Sequence, residues 1–205
     1  MKSYITVKQH GTSEYEDRKS VFIGECAPAS TEAEAIAFID SIKRKYPDAR
    51  HHVYAYVLRE NFTMRFTDDR EPQGTAGMPV LDIIRKNEVT DTVIVVVRYF
   101  GGTLLGTGGL VRAYTAAALG ALQKAEIIKY DIYNEISVSV GYSDYGKITS
   151  FFEEYEVRTI DTVYTDSVEL ILKLPKSRYT SFEKALIDIT SNRVNVRVLS
   201  EKYDY

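Results

Sequence analysis

Residues Asp68–Tyr114 read DDREPQGTAGMPVLDIIRKNEVTDTVIVVVRYFGGTLLGTGGLVRAY. At the centre of this stretch Thr92–Val97 (TVIVVV) is a run of β-branched residues, apolar on both faces, which predicts a central strand covered on both sides. A glycine cluster flanks the strand at each end. Gly74 and Gly77 precede a helix opening near Met78-Pro79, and Gly101, Gly102, Gly106, Gly108 and Gly109 precede one opening at Leu110. Together these are seven of the chain's 12 glycines. Glycine loses more chain entropy on folding than any other residue, so such a concentration marks backbone that turns sharply or approaches something closely. Proline suits a first helical turn, and PVLDIIRKN would bury Val80, Leu81, Ile83 and Ile84.

Two candidate sites flank the strand. A glycine-rich loop opening a helix presents unpaired backbone N–H groups and the positive end of the helix dipole. With Arg98 at one end and Arg112 in the first turn of the helix, Gly101, Gly102, Gly106, Thr107, Gly108 and Gly109 form a candidate anion-binding nest. The competing reading is structural, with glycines that let the alanine-rich helix pack close on the sheet. Neither standard nucleotide pattern fits. No Gly-Lys-Ser/Thr occurs here, and Val111 stands where the dinucleotide fingerprint has its last glycine. Upstream, Asp68, Asp69 and Glu71, with Thr75 beyond them, make an acidic turn that would hold a divalent cation or orient a hydroxyl. A solvated turn is the alternative.

Working outward, Tyr4–Gln9 and Lys19–Glu25 are short strand candidates. Ser30-Thr31-Glu32 offers capping for a helix whose apolar face is Ala33, Ile36, Phe38, Ile39 and Ile42, closed by Lys43-Arg44-Lys45 and broken at Pro47-Asp48. The strand after Arg50 opens on His51-His52. Adjacent strand residues face opposite ways, so the pair is not expected to share one ion, and His52 is the candidate to face the site. A turn at 61–65 leads to a further short strand. Residues 129–134 read as a linker. Beyond it lie a strand at Glu135–Val140, a helix capped by Ser143, strands at Val157–Tyr164 and Ser167–Leu174, a helix at Tyr179–Ser191 and a strand at Val194–Leu199. That order is β-α-β-β-α-β, a ferredoxin-like unit without evident chemistry.

The totals set outer limits. A chain of 205 residues, 44% apolar and 27% charged, is of globular composition. The 16 tyrosines are spread along the chain rather than gathered into a stacking platform. Cys26, the single cysteine, excludes an intramolecular disulfide and a cysteine-cluster metal site, and is expected as a small core residue. The N-terminus lacks the apolar core of a secretory signal, and no apolar run nears the ~20 residues needed to span a bilayer, so a cytoplasmic protein with no membrane association is expected. Residues 1–128 carry 16 Lys+Arg and 16 Asp+Glu, a net of zero, which leaves −3 for the rest. Without a basic excess, phosphate binding must rely on a local cluster.

The segments DD-x-EP-x-GTAG-x-P and VVVRYFGG-x-x-LG-x-GGLVRAY, with KSVFIGE and HHVYAY upstream, resemble the signature of the IMPACT family, in its two-domain bacterial YigZ-type form. The resemblance covers nearly the whole chain. It implies an α+β protein. Residues 1–130 would be a domain folded like the second domain of a small-subunit ribosomal protein, a fold that also occurs in elongation factor G and small-molecule kinases. Residues 131–205 would resemble a C-terminal domain of elongation factor G. One departure is Arg70, where the family usually has glycine in Asp-Asp-Gly-Glu-Pro; either the turn is ordinary, or Arg70 sits in strained backbone. The resemblance implies a translation-associated factor, more a binding protein than an enzyme, with RNA, the ribosome or a phosphate-bearing ligand as partner and no cofactor. Two other classes stay open: an enzyme on a nucleotide or phosphorylated small molecule with a metal at the acidic turn, and a protein-interaction module docking through residues 131–205 with a partner not identified. The eukaryotic members' stress-kinase interaction, which uses a further N-terminal domain, is not carried over.

Overall fold

The computed structural model describes residues 3–205. The chain divides into two compact units, residues 4–129 and 130–205. The first contains β1 (Tyr4–Val7), β2 (Gly11–Asp17), β3 (Ser20–Pro28), α1 (Glu32–Lys45), β4 (His51–Val57), β5 (Met64–Thr67), α2 (Gly77–Lys86), β6 (Thr92–Tyr99) and α3 (Gly106–Lys124). Its sheet runs β2-β3-β6-β4-β5 with every neighbouring pair antiparallel. β6 is central, and Thr92–Arg98 is buried without a break. Ile94 and Val96 join Val53, Ala55 and Phe22 in a core shared with α2 and α3, while Val93, Val95 and Val97 face α1. Continuous apolar runs are commonest in parallel sheets; helices on both faces produce one here in an antiparallel sheet.

Local chemistry starts and stops these elements. Thr31 caps α1 through a full capping box: its hydroxyl accepts the Glu34 N–H, and the Glu34 carboxylate accepts the Thr31 N–H. The buried face of α1 is Ala35, Ile39 and Ile42; Ile36 is exposed and Phe38 half-buried, so the true face is rotated from the predicted one. In α2 the four predicted core residues are all buried. β2 has no counterpart among the predicted strands. Its sequence, GTSEYED, is an acidic edge whose residues beyond Gly11 alternate exposed and half-buried, and the Ser13 hydroxyl donates to the Ala117 carbonyl of α3 at 2.6 Å. Cys26 is fully buried as expected, and burial pushes its thiol far above the usual range.

β7 (Ile127–Val140) leads into the second unit. There follow α4 (Tyr142–Thr149), β8 (Arg158–Tyr164), β9 (Val168–Pro175), α5 (Lys176–Thr190) and β10 (Asn195–Asp204). Strand order β10-β7-β9-β8, all antiparallel, is the ferredoxin-like arrangement. Its core gathers Ile136, Val138, Leu170, Leu172, Phe182 and Leu186. The segment predicted as a linker, 129–134, is strand. Tyr133 and Asn134 pair with Pro175 and Leu174, so cross-strand bonding overrides a sequence that lacks alternation. The N-cap of helix α4 is Gly141, not Ser143, and the helix ends at Thr149. Among the described residues no helix is long and apolar enough to cross a membrane.

One polar knot locks the face of the sheet under α1. Glu25, fully buried on β3, accepts from Lys45 Nζ at 2.7 Å, the Tyr46 hydroxyl at 2.6 Å and the Thr12 hydroxyl at 2.8 Å, and meets His10 Nε2 at 2.5 Å. Burial raises its pKa, but the four hydrogen bonds outweigh burial and hold it below the usual glutamate value. A carboxyl with a depressed folded pKa stabilises the fold fully above its unfolded pKa and loses that contribution as pH falls through the depressed value. Glu25→Gln should therefore cost about 1.5–3 kcal/mol at neutral pH. It should also flatten the decline in stability below pH ~4.3, as read by urea denaturation from pH 7 to pH 3.

Candidate functional site

The acidic turn, the end of β6 and the first turns of α3 converge on one buried carboxylate. Glu71 Oε1 accepts from Arg98 Nη1 at 2.6 Å and from the Tyr114 hydroxyl at 2.8 Å, and His51 Nε2 lies 3.7 Å away. All four side chains are buried. Tyr114 packs edge-on against Phe22, with centroids 5.1 Å apart. Burial and the adjacent Glu71 carboxylate push its phenol far above the ordinary value, so it stays a neutral donor. Arg98 reaches Glu71 between Phe22 and Phe100, at 5.4 and 5.5 Å from the ring centroids. Its Nε is buried and has no partner among the described residues.

The other two acids of the turn do different work. Asp68 accepts the Gly74, Ala76 and Gly77 N–H groups at 2.9, 3.1 and 2.8 Å, capping α2 from outside the helix. Asp69 accepts the His52 N–H at 2.7 Å through its carboxylate, and its carbonyl accepts His51 Nδ1 at 2.7 Å. The Thr75 hydroxyl donates to the Pro72 carbonyl at 2.6 Å. Thus Asp68 and Asp69 spend oxygens on backbone N–H groups, and Glu71 on Arg98 and Tyr114. Among the described residues no group of three or more His, Cys, Asp or Glu is placed to hold a metal ion. Glu71 N–H closes the turn onto the Asp68 carbonyl at 2.9 Å, with Asp69 at φ 38° and Arg70 at φ 68°. Arg70 therefore occupies left-handed backbone, the strained alternative of the two.

Above Glu71 opens a cleft of about 340 Å³. Its charged end is formed by Arg50, His51, Arg70 and Arg98 around Glu71, and its apolar wall by Phe100, Leu104, Leu105 and Leu110. Gly106 and Thr107 bring the start of α3 to the same cleft. That helix starts four residues earlier than predicted, and no side chain caps it. Gly106 has φ 73°, and Gly101 presses so closely on the β2–β3 turn that a Cβ would lie 2.1 Å from the Lys19 carbonyl carbon. The predicted pairing of Arg98 with Arg112 is not what the structure holds. Arg98 is committed to Glu71, while Arg112 does not line the cleft; it is exposed and lies back along α3 over Gly108 and Gly109. The cations that sequence reasoning missed are Arg50 and Arg70. His51, not His52, faces the site, because His51 shares strand parity with Val53 and Ala55 on the α2–α3 side; His52 turns its Nε2 to the Tyr46 carbonyl. The parity of Tyr54 and Tyr56, which lie on the α1 side, is the signal that would have shown it.

Comparison with known proteins places this geometry in context. A model of the Impact N-terminal domain matches residues 18–122, and one of a domain of unknown function (DUF1949) matches residues 138–193. The chain is 34% identical to the IMPACT family member YvyE of Bacillus subtilis over 196 residues, covering 95% of this chain and 90% of that one. It is 32% identical to the IMPACT family member YigZ of Escherichia coli, covering 98% and 100%. A crystal structure titled as that of a hypothetical protein superposes with a TM-score of 0.61 at 32% identity, covering 98% of each chain.

Three substitutions test the site's construction. Arg98→Ala leaves the Glu71 carboxylate buried without its cation and should cost about 3–5 kcal/mol; adding Glu71→Gln should recover part of that loss in urea denaturation. Arg70→Gly relieves the left-handed strain at 68°. After glycine's own entropic cost it should gain up to ~1 kcal/mol, a rise of about 2–4 °C in the thermal midpoint.

Proposed function

The chain belongs to the IMPACT family, and on that premise we propose that it is a translation-associated regulatory factor of the cytoplasm that binds RNA, free or within the ribosome, by gripping phosphate in the Arg50–Arg70–Arg98 cleft. The observation that carries this reading is the convergence of three guanidiniums on the uncapped start of a helix, beside a single carboxylate, in a domain whose overall charge is neutral. Guanidinium forks suit phosphate oxygens through two parallel hydrogen bonds, which a lysine cannot match. Arg50 and Arg70 are exposed and available, and both are held in place. The Arg50 N–H donates to the Arg98 carbonyl at 3.2 Å, its guanidinium lies 5.7 Å from the Phe100 centroid, and Arg70 Nη2 donates to the Arg50 carbonyl at 3.4 Å. Arg98, fixed by Glu71, forms the floor.

Because Arg98 supports the fold, the test uses the two exposed arginines. Arg50→Ala combined with Arg70→Ala should leave the thermal midpoint within a few degrees of wild type and weaken retention on single-stranded RNA and on ribosomes. If each arginine meets one phosphate, the slope of log affinity against log salt should fall by about 0.7 per arginine lost. Equal retention and equal slopes for the wild type and the double variant would overturn the reading.

A further inference from the structure

We propose that the cleft takes a terminal phosphate monoester carried on a nucleoside, either as a free mononucleotide or as the phosphorylated end of an RNA strand, and not the interior of a strand. This rests on the phosphate-binding reading above and narrows its ligand.

Shape gives the first argument. A volume of about 340 Å³ lies at the small end of ligand sites. The charged end is closed behind Arg98 by Phe22 and Tyr114, both fully buried. A phosphate that reaches this end meets packed protein beyond it, whereas an interior phosphodiester must continue in two directions.

Charge gives the second. Three guanidiniums, Arg50, Arg70 and Arg98, and one carboxylate, Glu71, line the charged end; with Asp69 at 3.7 Å from Arg70, the balance is one positive charge. A phosphomonoester carries about −1.5 to −2 at neutral pH, so this net positive end attracts it more strongly than it attracts the single charge of a diester. Donors stand ready for its oxygens. Arg98 is nine-tenths buried with Nε unpartnered, and Gly106 and Thr107 begin a helix that no side chain caps.

The apolar wall gives the third. Phe100, 41% exposed, lies beside the Arg50 and Arg98 guanidiniums, and Leu104, 80% exposed, lines the same cleft. Inorganic phosphate has no use for such a wall. A nucleobase does, because an exposed aromatic ring flanked by cations is a stacking surface that tolerates any base.

The test uses calorimetric titration of the full chain with RNA decamers of one sequence, bearing a 5′-phosphate, a 3′-phosphate or hydroxyls at both ends, and with AMP, adenosine and inorganic phosphate. At least one phosphorylated decamer should bind about tenfold more tightly than the hydroxyl-ended one, or AMP should bind where adenosine does not. The first result assigns the ligand to a strand end and the second to a free nucleotide. Phe100→Ala should weaken whichever of these binds by about tenfold, and should weaken inorganic phosphate less, through the Arg50 and Arg98 guanidiniums that the ring packs against. Equal affinity of all three decamers, with AMP no better than adenosine, overturns the terminal-phosphate assignment while leaving RNA binding intact. Failure of every decamer and of AMP to bind removes the broader reading as well.

Discussion

A carboxylate buried among apolar side chains is tolerable only when its charge is matched and its oxygens are hydrogen-bonded. Glu71 meets both conditions through Arg98 and Tyr114, and this requirement organises the first unit. Its three groups come from a turn, a strand end and a helix that are far apart in sequence. None of them is stable in its place without the others: Arg98 would be a buried cation, Tyr114 a buried phenol without an acceptor. Asp68 extends the arrangement by pinning the same turn to the start of α2. The segment Asp68–Tyr114 therefore closes on itself, and the cleft lies above that closure.

How much of this is legible in the sequence depends on whether the signal is local. β6, the core residues of α2 and the capping of α1 rest on patterns within a few residues, and they are correctly read. β2 is not, because a strand of alternating acidic residues at a sheet edge carries almost no apolar signal; only its pairing with β3 and the Ser13 contact with α3 define it. Residues 131–134 pair with β10, and 133–134 also with β9, which no local pattern announces. The start of α3 is misplaced for a related reason. Glycine is a poor helix former, so Gly106–Gly109 read as loop, although tertiary packing of Gly109 and Leu110 carries the helix through them.

The candidate site shows the same division. Arg98 is recognisable as a charge at the end of a buried strand, yet its partner lies 27 residues earlier, and nothing local reveals that it is neutralised. Arg112 looked like its companion because sequence proximity to the glycines was read as proximity to the loop's anion site. On α3 the buried stripe runs through Leu110, Ala113, Tyr114 and Ala117, and Arg112 falls outside it. Arg50 and Arg70 reach the cleft only because β4 pairs with β6 and because the turn folds back over β4. Arg70 sits in left-handed backbone, which is costly for arginine, and lines the cleft.

Glu71 has a further consequence for the phosphate recognition we propose. Residues 1–128 have no net charge, so a phosphate approaching from beyond a Debye length of about 8 Å feels little attraction. On that proposal, binding must come from contacts formed inside the cleft, where the low dielectric strengthens each of them. Such contacts are strongest when the donors need no reorganisation. By taking one nitrogen of Arg98, Glu71 fixes that guanidinium about 5.5 Å from the centroids of Phe22 and Phe100. The carboxylate subtracts one charge from the cleft, but it turns a flexible cation into a rigid one.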